Sequence, residues 1–116
     1  MYVINRSAAI IKSKQPFVEW VNSVASEGRQ YSIDDFSTDC SVILLPEIDS
    51  DEHAEATLKD LFSDIFEVEL SGWITDESAW PQSRTYEMFQ EWFDVEFHSV
   101  VFDPFEDDIE KDPDGY

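Results

Sequence analysis

The sequence predicts a small α+β domain, with about three strands in one sheet and helices packed mainly on one face in the order β-α-β-α-α-β. Three observations point there. Strand-like apolar residues open and close the chain, and a third run, CSVILL at 40–45, is continuously apolar. Between these segments, three stretches repeat apolar residues at helical spacing behind recognisable start signals. Finally, 116 residues with 42% apolar and 15% aromatic content can build one core, since about two-thirds of the unfolded surface is buried at this size.

Residues 2–12 (YVINRSAAIIK) read as the first strand through Val3, Ile4, Ile10 and Ile11, with Ala8 and Ala9 blurring its alternation. A helix starts near residues 13–16, where Pro16 suits the first turn. Phe17, Val21 and Val24 then fall at i, i+4, i+7 with Trp20 beside them, and Glu27, Gly28 and Arg29 close it. Residues 32–39 suggest one helical turn capped by Ser32. The run at 40–45, ended by Pro46, reads as a central strand covered on both faces, with Cys40 as a core thiol. Asp49 and Glu52 make a capping box for the longest helix, about 51–71. Leu58, Leu61, Phe62, Ile65 and Phe66 mark its inward side, with Gly72 just past its end. Thr85 caps a third helix at about 86–94, with Tyr86, Phe89 and Phe93 on one side. Residues 95–102 (VEFHSVVF) alternate as a final strand. The domain therefore spans 1–102. Residues 103–116, with seven acids, two prolines and a glycine, read as an acidic, disordered tail.

Charge bounds the function. The chain holds 27 acidic against 7 basic residues, a net charge of −20. Residues 1–31 carry four basic and two acidic groups. Residues 32–116 carry the other 25 acids against Lys59, Arg84 and Lys111. Such a surface disfavours nucleic acid and anionic membranes as direct partners. The aromatic content separates it from disordered acidic chains. One cysteine excludes an internal disulfide, and no signal-like or 18-residue apolar segment is present. Together these features suit a cytoplasmic protein.

Two helices repeat one charge pattern. Asp60, Asp64 and Glu67, and again Glu87, Glu91 and Asp94, fall at i, i+4, i+7. Each set forms an outward carboxylate stripe with a spacing of about 5–6 Å. Such a ladder resembles the charge row of a nucleic-acid backbone, which DNA-binding proteins hold through Lys and Arg. The plainer reading is a solvated face serving solubility. The tail acids Asp107, Asp108, Glu110 and Asp112 form a second candidate for a basic patch, with Phe105 and Tyr116 as weak anchors. Trp80 and Trp92 are candidate exposed hot spots beside the stripes.

Other chemistry finds less support. Asp49, Asp51 and His53 begin a calcium-loop spacing, but Ala54 stands where the turn needs glycine and Asp60 where glutamate is expected. The acidic end of the tail starts a similar pattern that the chain does not complete. No glycine-rich phosphate loop exists. Glu96 and His98 share a strand face and form the only candidate acid/base couple. No metal or cofactor is expected.

The stretch LSGWITDESAWPQSRTYEMFQEWFDVEFHSVV (70–101), with the opening YVINRSAAIIKSKQPFVEWVN, resembles a group of short acidic bacterial proteins without an assigned activity. That resemblance implies a bacterial cytosolic source and a shared fold. Size and charge also resemble phage and bacterial DNA-mimic inhibitors in general character, without a shared motif. The leading expectation is a non-enzymatic protein that offers its stripes to the basic groove of a nucleoid protein, repressor or nuclease. An immunity protein or antitoxin for a cationic nuclease is the alternative within that class. A small acid/base or metal-dependent enzyme using Glu96 and His98 is the alternative outside it.

Overall fold

A bend at residues 4–6 divides the expected first strand into β1 (Tyr2–Val3) and β2 (Ser7–Ser13) in the computed structural model, which describes residues 1–25 and 28–115. Glu27 and Tyr116, assigned above to a helix end and a tail anchor, lie outside the described residues. β2 leads into α1 (Gln15–Val24), with Pro16 in its first turn and Phe17, Val18, Trp20 and Val21 buried. Beyond it, Asn22 holds the returning chain through both the N–H and the carbonyl of Tyr31. The expected turn after Ser32 is a single 3₁₀ turn, Ile33–Phe36, closed by a reciprocal Ser32–Asp35 capping box.

The apolar run forms β3 (Ser41–Leu45), and here the structure corrects the expectation of a central strand. The three-stranded sheet has the order β3-β2-β4, with β4 at Phe93–His98, and all its pairs are antiparallel. β3 is therefore an edge strand. Its inner residues Ile43 and Leu45 join the core, while Val42 and Leu44 stay 60% and 45% exposed. The central strand is β2, whose Ala8 and Ala9 are buried on opposite faces. A strand flanked on both sides needs small residues where larger neighbours crowd it, and Ala9 sits between Ile43 and Phe97. Cys40, just before β3, is half-buried and not a core thiol.

The longest helix, α2 (Asp51–Ser71), has the expected span. Its cap is one residue later than expected. Ser50 Oγ accepts the His53 N–H at 3.1 Å, and Asp49 instead meets the His53 ring at 3.2 Å. Gly72 ends the helix in a right-handed conformation at φ −64°, so no left-handed glycine is needed. The third helix, α3 (Tyr86–Trp92), is capped by Thr85 Oγ1, which accepts from the Met88 N–H. It stops two residues short of the expected end. Phe93 is already extended and pairs with Ser13 in the sheet, while the Lys14 N–H donates to the Trp92 carbonyl at 2.8 Å.

The expected last strand is likewise divided. β4 ends at His98, and β5 (Phe102–Asp103) pairs with β1 in a separate two-stranded ribbon. Residues 104–115 form neither helix nor strand. The Tyr2 hydroxyl donates to Glu106, which holds the start of this segment against β1.

All three helices pack against the face of the sheet formed by Ala9, Ile11, Ile43, Leu45, Phe93, Val95 and Phe97. Aromatic pairs join the layers. Phe17 of α1 and Phe66 of α2 lie 5.0 and 5.4 Å from Phe93, and Phe89 of α3 lies 5.2 Å from it. Each such pair adds about 0.5–1.5 kcal/mol beyond simple burial, so one ring on β4 ties three helices to the sheet. Among the described residues no helix is long and apolar enough to cross a membrane.

Candidate interaction surface

The outward stripes survive in part. Asp60 and Asp64 are exposed on α2, on the side away from Leu58, Ile65 and Phe66. Glu87 and Glu91 are exposed on α3. The two helices contact each other through Phe62 with Tyr86 at 5.5 Å and Phe66 with Phe89 at 5.9 Å. These rings, Phe66 and Phe89 buried and Phe62 and Tyr86 half-buried, fix the helices that carry the four carboxylates. None of the four takes part in an ion pair among the described residues.

Two members of the predicted stripes are neutralised. Glu67 Oε1 accepts from Arg84 Nη2 at 3.0 Å, and Arg84 also donates to the Pro81 carbonyl. The guanidinium lies 5.8 Å from the Trp80 ring and 6.0 Å from Phe66. Arg84 thus uses Glu67 to fasten the loop before α3 onto α2. Asp94 is not on α3 at all. It belongs to β4 and faces Lys14 Nζ at 3.8 Å, so the second stripe ends at Glu91. Glu55 and Lys59, four residues apart on α2, do not form an ion pair with each other. Both side chains turn to Tyr86, whose hydroxyl donates to Glu55 at 2.9 Å while Lys59 Nζ sits 5.7 Å over its ring. Burial, and then the Glu55 carboxylate, push the Tyr86 hydroxyl up to about 12.

The tryptophan expectations are corrected. Trp80 is 8% exposed, and its Nε1 donates to the Ile74 carbonyl at 2.9 Å. Trp92 is half-buried against Phe17, Trp20 and Phe66. The exposed tryptophan is Trp73, which lies 5.0 Å from Tyr31 and 5.1 Å from Phe36, with Arg29 over the Tyr31 ring. Its position was readable in principle, because Trp73 follows the helix-ending Gly72 and falls outside the apolar periodicity.

On the outer sheet face, Glu96 lies between Lys12 and the His98 ring, 2.6 Å from the latter. Lys12, and secondarily His98, hold the Glu96 carboxyl below its ordinary value. His98 also lines a cleft of about 380 Å³ with Asp49, Ser50 and Asp51 at the start of α2. No group of three metal-binding side chains comes together among the described residues. Sequence reading missed Glu69, an acid on the inner side of α2. Burial raises its carboxyl above the ordinary range, against an opposing hydrogen bond from Ser41, and Oε1 has no partner among the described residues. A lone acid in a helical stretch rich in acids carries no sign of this burial.

The tail acids Asp107, Asp108, Glu110 and Asp112 are exposed and outside any ion pair among the described residues. No family model matches the chain, and no match appeared among curated proteins or solved structures.

Proposed function

We propose that the protein is a non-enzymatic acidic binding protein, a DNA mimic that occupies the basic groove of a nucleic-acid-binding protein and inhibits or regulates it. The observation that carries this reading is the set of four exposed carboxylates, Asp60, Asp64, Glu87 and Glu91, outside any ion pair among the described residues, on two helices joined by aromatic rings. Exposed carboxylates on fixed helices offer a Lys/Arg groove the same kind of attraction as phosphates, without base edges. Preorganised charge costs little ordering entropy on binding. The remaining acidity, including the tail, extends the field and speeds encounter. The ion pair with Lys12 gives Glu96 a structural task, which favours binding over acid/base chemistry for that strand.

The test is to immobilise the protein, capture basic proteins from a lysate at low salt, and then challenge with duplex DNA. Mimicry requires the captured proteins to elute with DNA and to bind progressively less as salt rises. Capture that DNA does not disturb contradicts a shared site.

A narrower form of the reading is an immunity protein or antitoxin for a cationic nuclease. The exposed Trp73, backed by half-buried Tyr31 and Phe36, favours it, because an aromatic anchor gives one partner a salt-resistant hot spot. A single captured protein that survives high salt and is released by Trp73→Ala supports this form.

A further inference from the structure

We propose that the groove between the tail and the β1/β5 ribbon is a second docking site, which takes a short cationic segment of a partner protein carrying an apolar side chain. The groove encloses about 510 Å³, within the size range of small-ligand and peptide pockets. Its floor is apolar. Ile4, Leu44, Phe105 and Ile109 line it, and the last three are 45%, 70% and 58% exposed. Side chains of this size gain from being covered, and so many exposed together mark an interaction surface.

Charge decides the occupant. Asp103, Glu106, Asp107 and Asp108 border the same groove, against Arg6 and Lys111. An apolar floor inside an acidic border is complementary to a lysine- or arginine-rich segment with a leucine- or phenylalanine-sized side chain. A second copy of this chain is disfavoured, since two bodies of charge −20 would bring like-charged rims together. Anionic ligands meet the same repulsion. The start of the tail is tied to β1 and forms one wall. The Tyr2 hydroxyl binds Glu106, and the Phe105 N–H donates to Asp103. The site shares no residue with Asp60, Asp64, Glu87 or Glu91, so it stands apart from the helical stripes.

The probe is a six-residue peptide, two lysines on each side of a central Leu–Phe pair, titrated into isotopically labelled full-length protein and followed by NMR. Saturable shifts should concentrate at Leu44, Phe105 and Ile109. A peptide with Ala–Ala at its centre should bind about tenfold more weakly, as should the parent peptide to Phe105→Ala. Phe105 lies outside the core, so this variant keeps its fold, and Leu44→Ser gives a second, independent loss. A variant with Asp60, Asp64, Glu87 and Glu91 all changed to Lys should still bind the peptide at the groove, which separates this site from the proposed mimicry. Equal binding of both peptides, shifts confined to α2 and α3, or no binding at all would each overturn the proposal.

Discussion

The acids of β4 and the acids on α2 and α3 carry the same charge, yet the fold treats them differently. On β4, Asp94 faces Lys14, and Glu96 is held between Lys12 and His98. On the helices, Asp60, Asp64, Glu87 and Glu91 have no ion-pair partner among the described residues. The cause is topological. Lys12 lies near the end of β2 and Lys14 just past it, and antiparallel pairing sets Lys12 opposite Asp94 with Glu96 two residues along. Lysines placed by the sheet serve sheet acids. The helices' outer faces are left with Lys59, which turns to Tyr86, and Arg84, whose ion-pair partner among the described residues is Glu67. Strand pairing therefore decides which carboxylates remain free to meet a partner.

The largest expected effect breaks the packing that joins the two helices carrying these acids. Phe66 is fully buried and touches Phe89, Trp92 and Phe93. Phe66→Ala should cost about 3–5 kcal/mol in urea unfolding, and a folded remnant should lose order between α2 and α3 in amide exchange.

A smaller effect concerns Glu69, the acid that neither region exposes. Burial holds its carboxyl above the ordinary value, so across that interval the folded state keeps a proton that the unfolded chain has released. Stability then falls as pH rises from the ordinary glutamate value through the raised one. Glu69→Gln should flatten this fall and raise the melting temperature at neutral pH. Thermal unfolding at about pH 4 and pH 8 brackets the window.

The smallest effect sharpens the comparison at β4. Lys12 and His98 hold Glu96 below its ordinary value, so its stabilisation is present above that value and lost as pH falls through the lowered one. Glu96 is solvent-facing, so Glu96→Gln should lower stability slightly at neutral pH, with the difference from the parent vanishing as pH falls through the lowered value. The difference from the parent should shrink at high salt, as expected of a surface ion pair.

The fold was largely legible because its helices carry strong periodicity and good caps. Thr85 and the span of α2 are where the pattern places them. The order of strands was not legible. A continuous apolar run such as that of β3 reads as a buried central strand, while the true centre, β2, looks irregular because Ala8 and Ala9 answer to neighbours far away in sequence. The candidate surface divided along the same line. The exposure of Asp60, Asp64, Glu87 and Glu91 follows from local helical geometry. The neutralisation of Glu67 by Arg84 and of Asp94 by Lys14 depends on long-range packing, and so does the burial of Trp80. Asp94 was misplaced because the helix-to-strand change at Phe93 is fixed by pairing with Ser13, not by a local stop signal.

The sharpest measurement compares two charge-reversed proteins in the DNA-elutable capture from lysate. One carries Lys at Asp60, Asp64, Glu87 and Glu91. The other carries Lys at Asp94 and Glu96, with Lys12 and Lys14 changed to Glu so that the β4 pairs are inverted and the net charge is unchanged. Mimicry by the helical array predicts that the first loses capture, with association slowed at least about tenfold at low salt, while the second binds like the parent. Retained capture by the first protein, or equal loss by both, would contradict it.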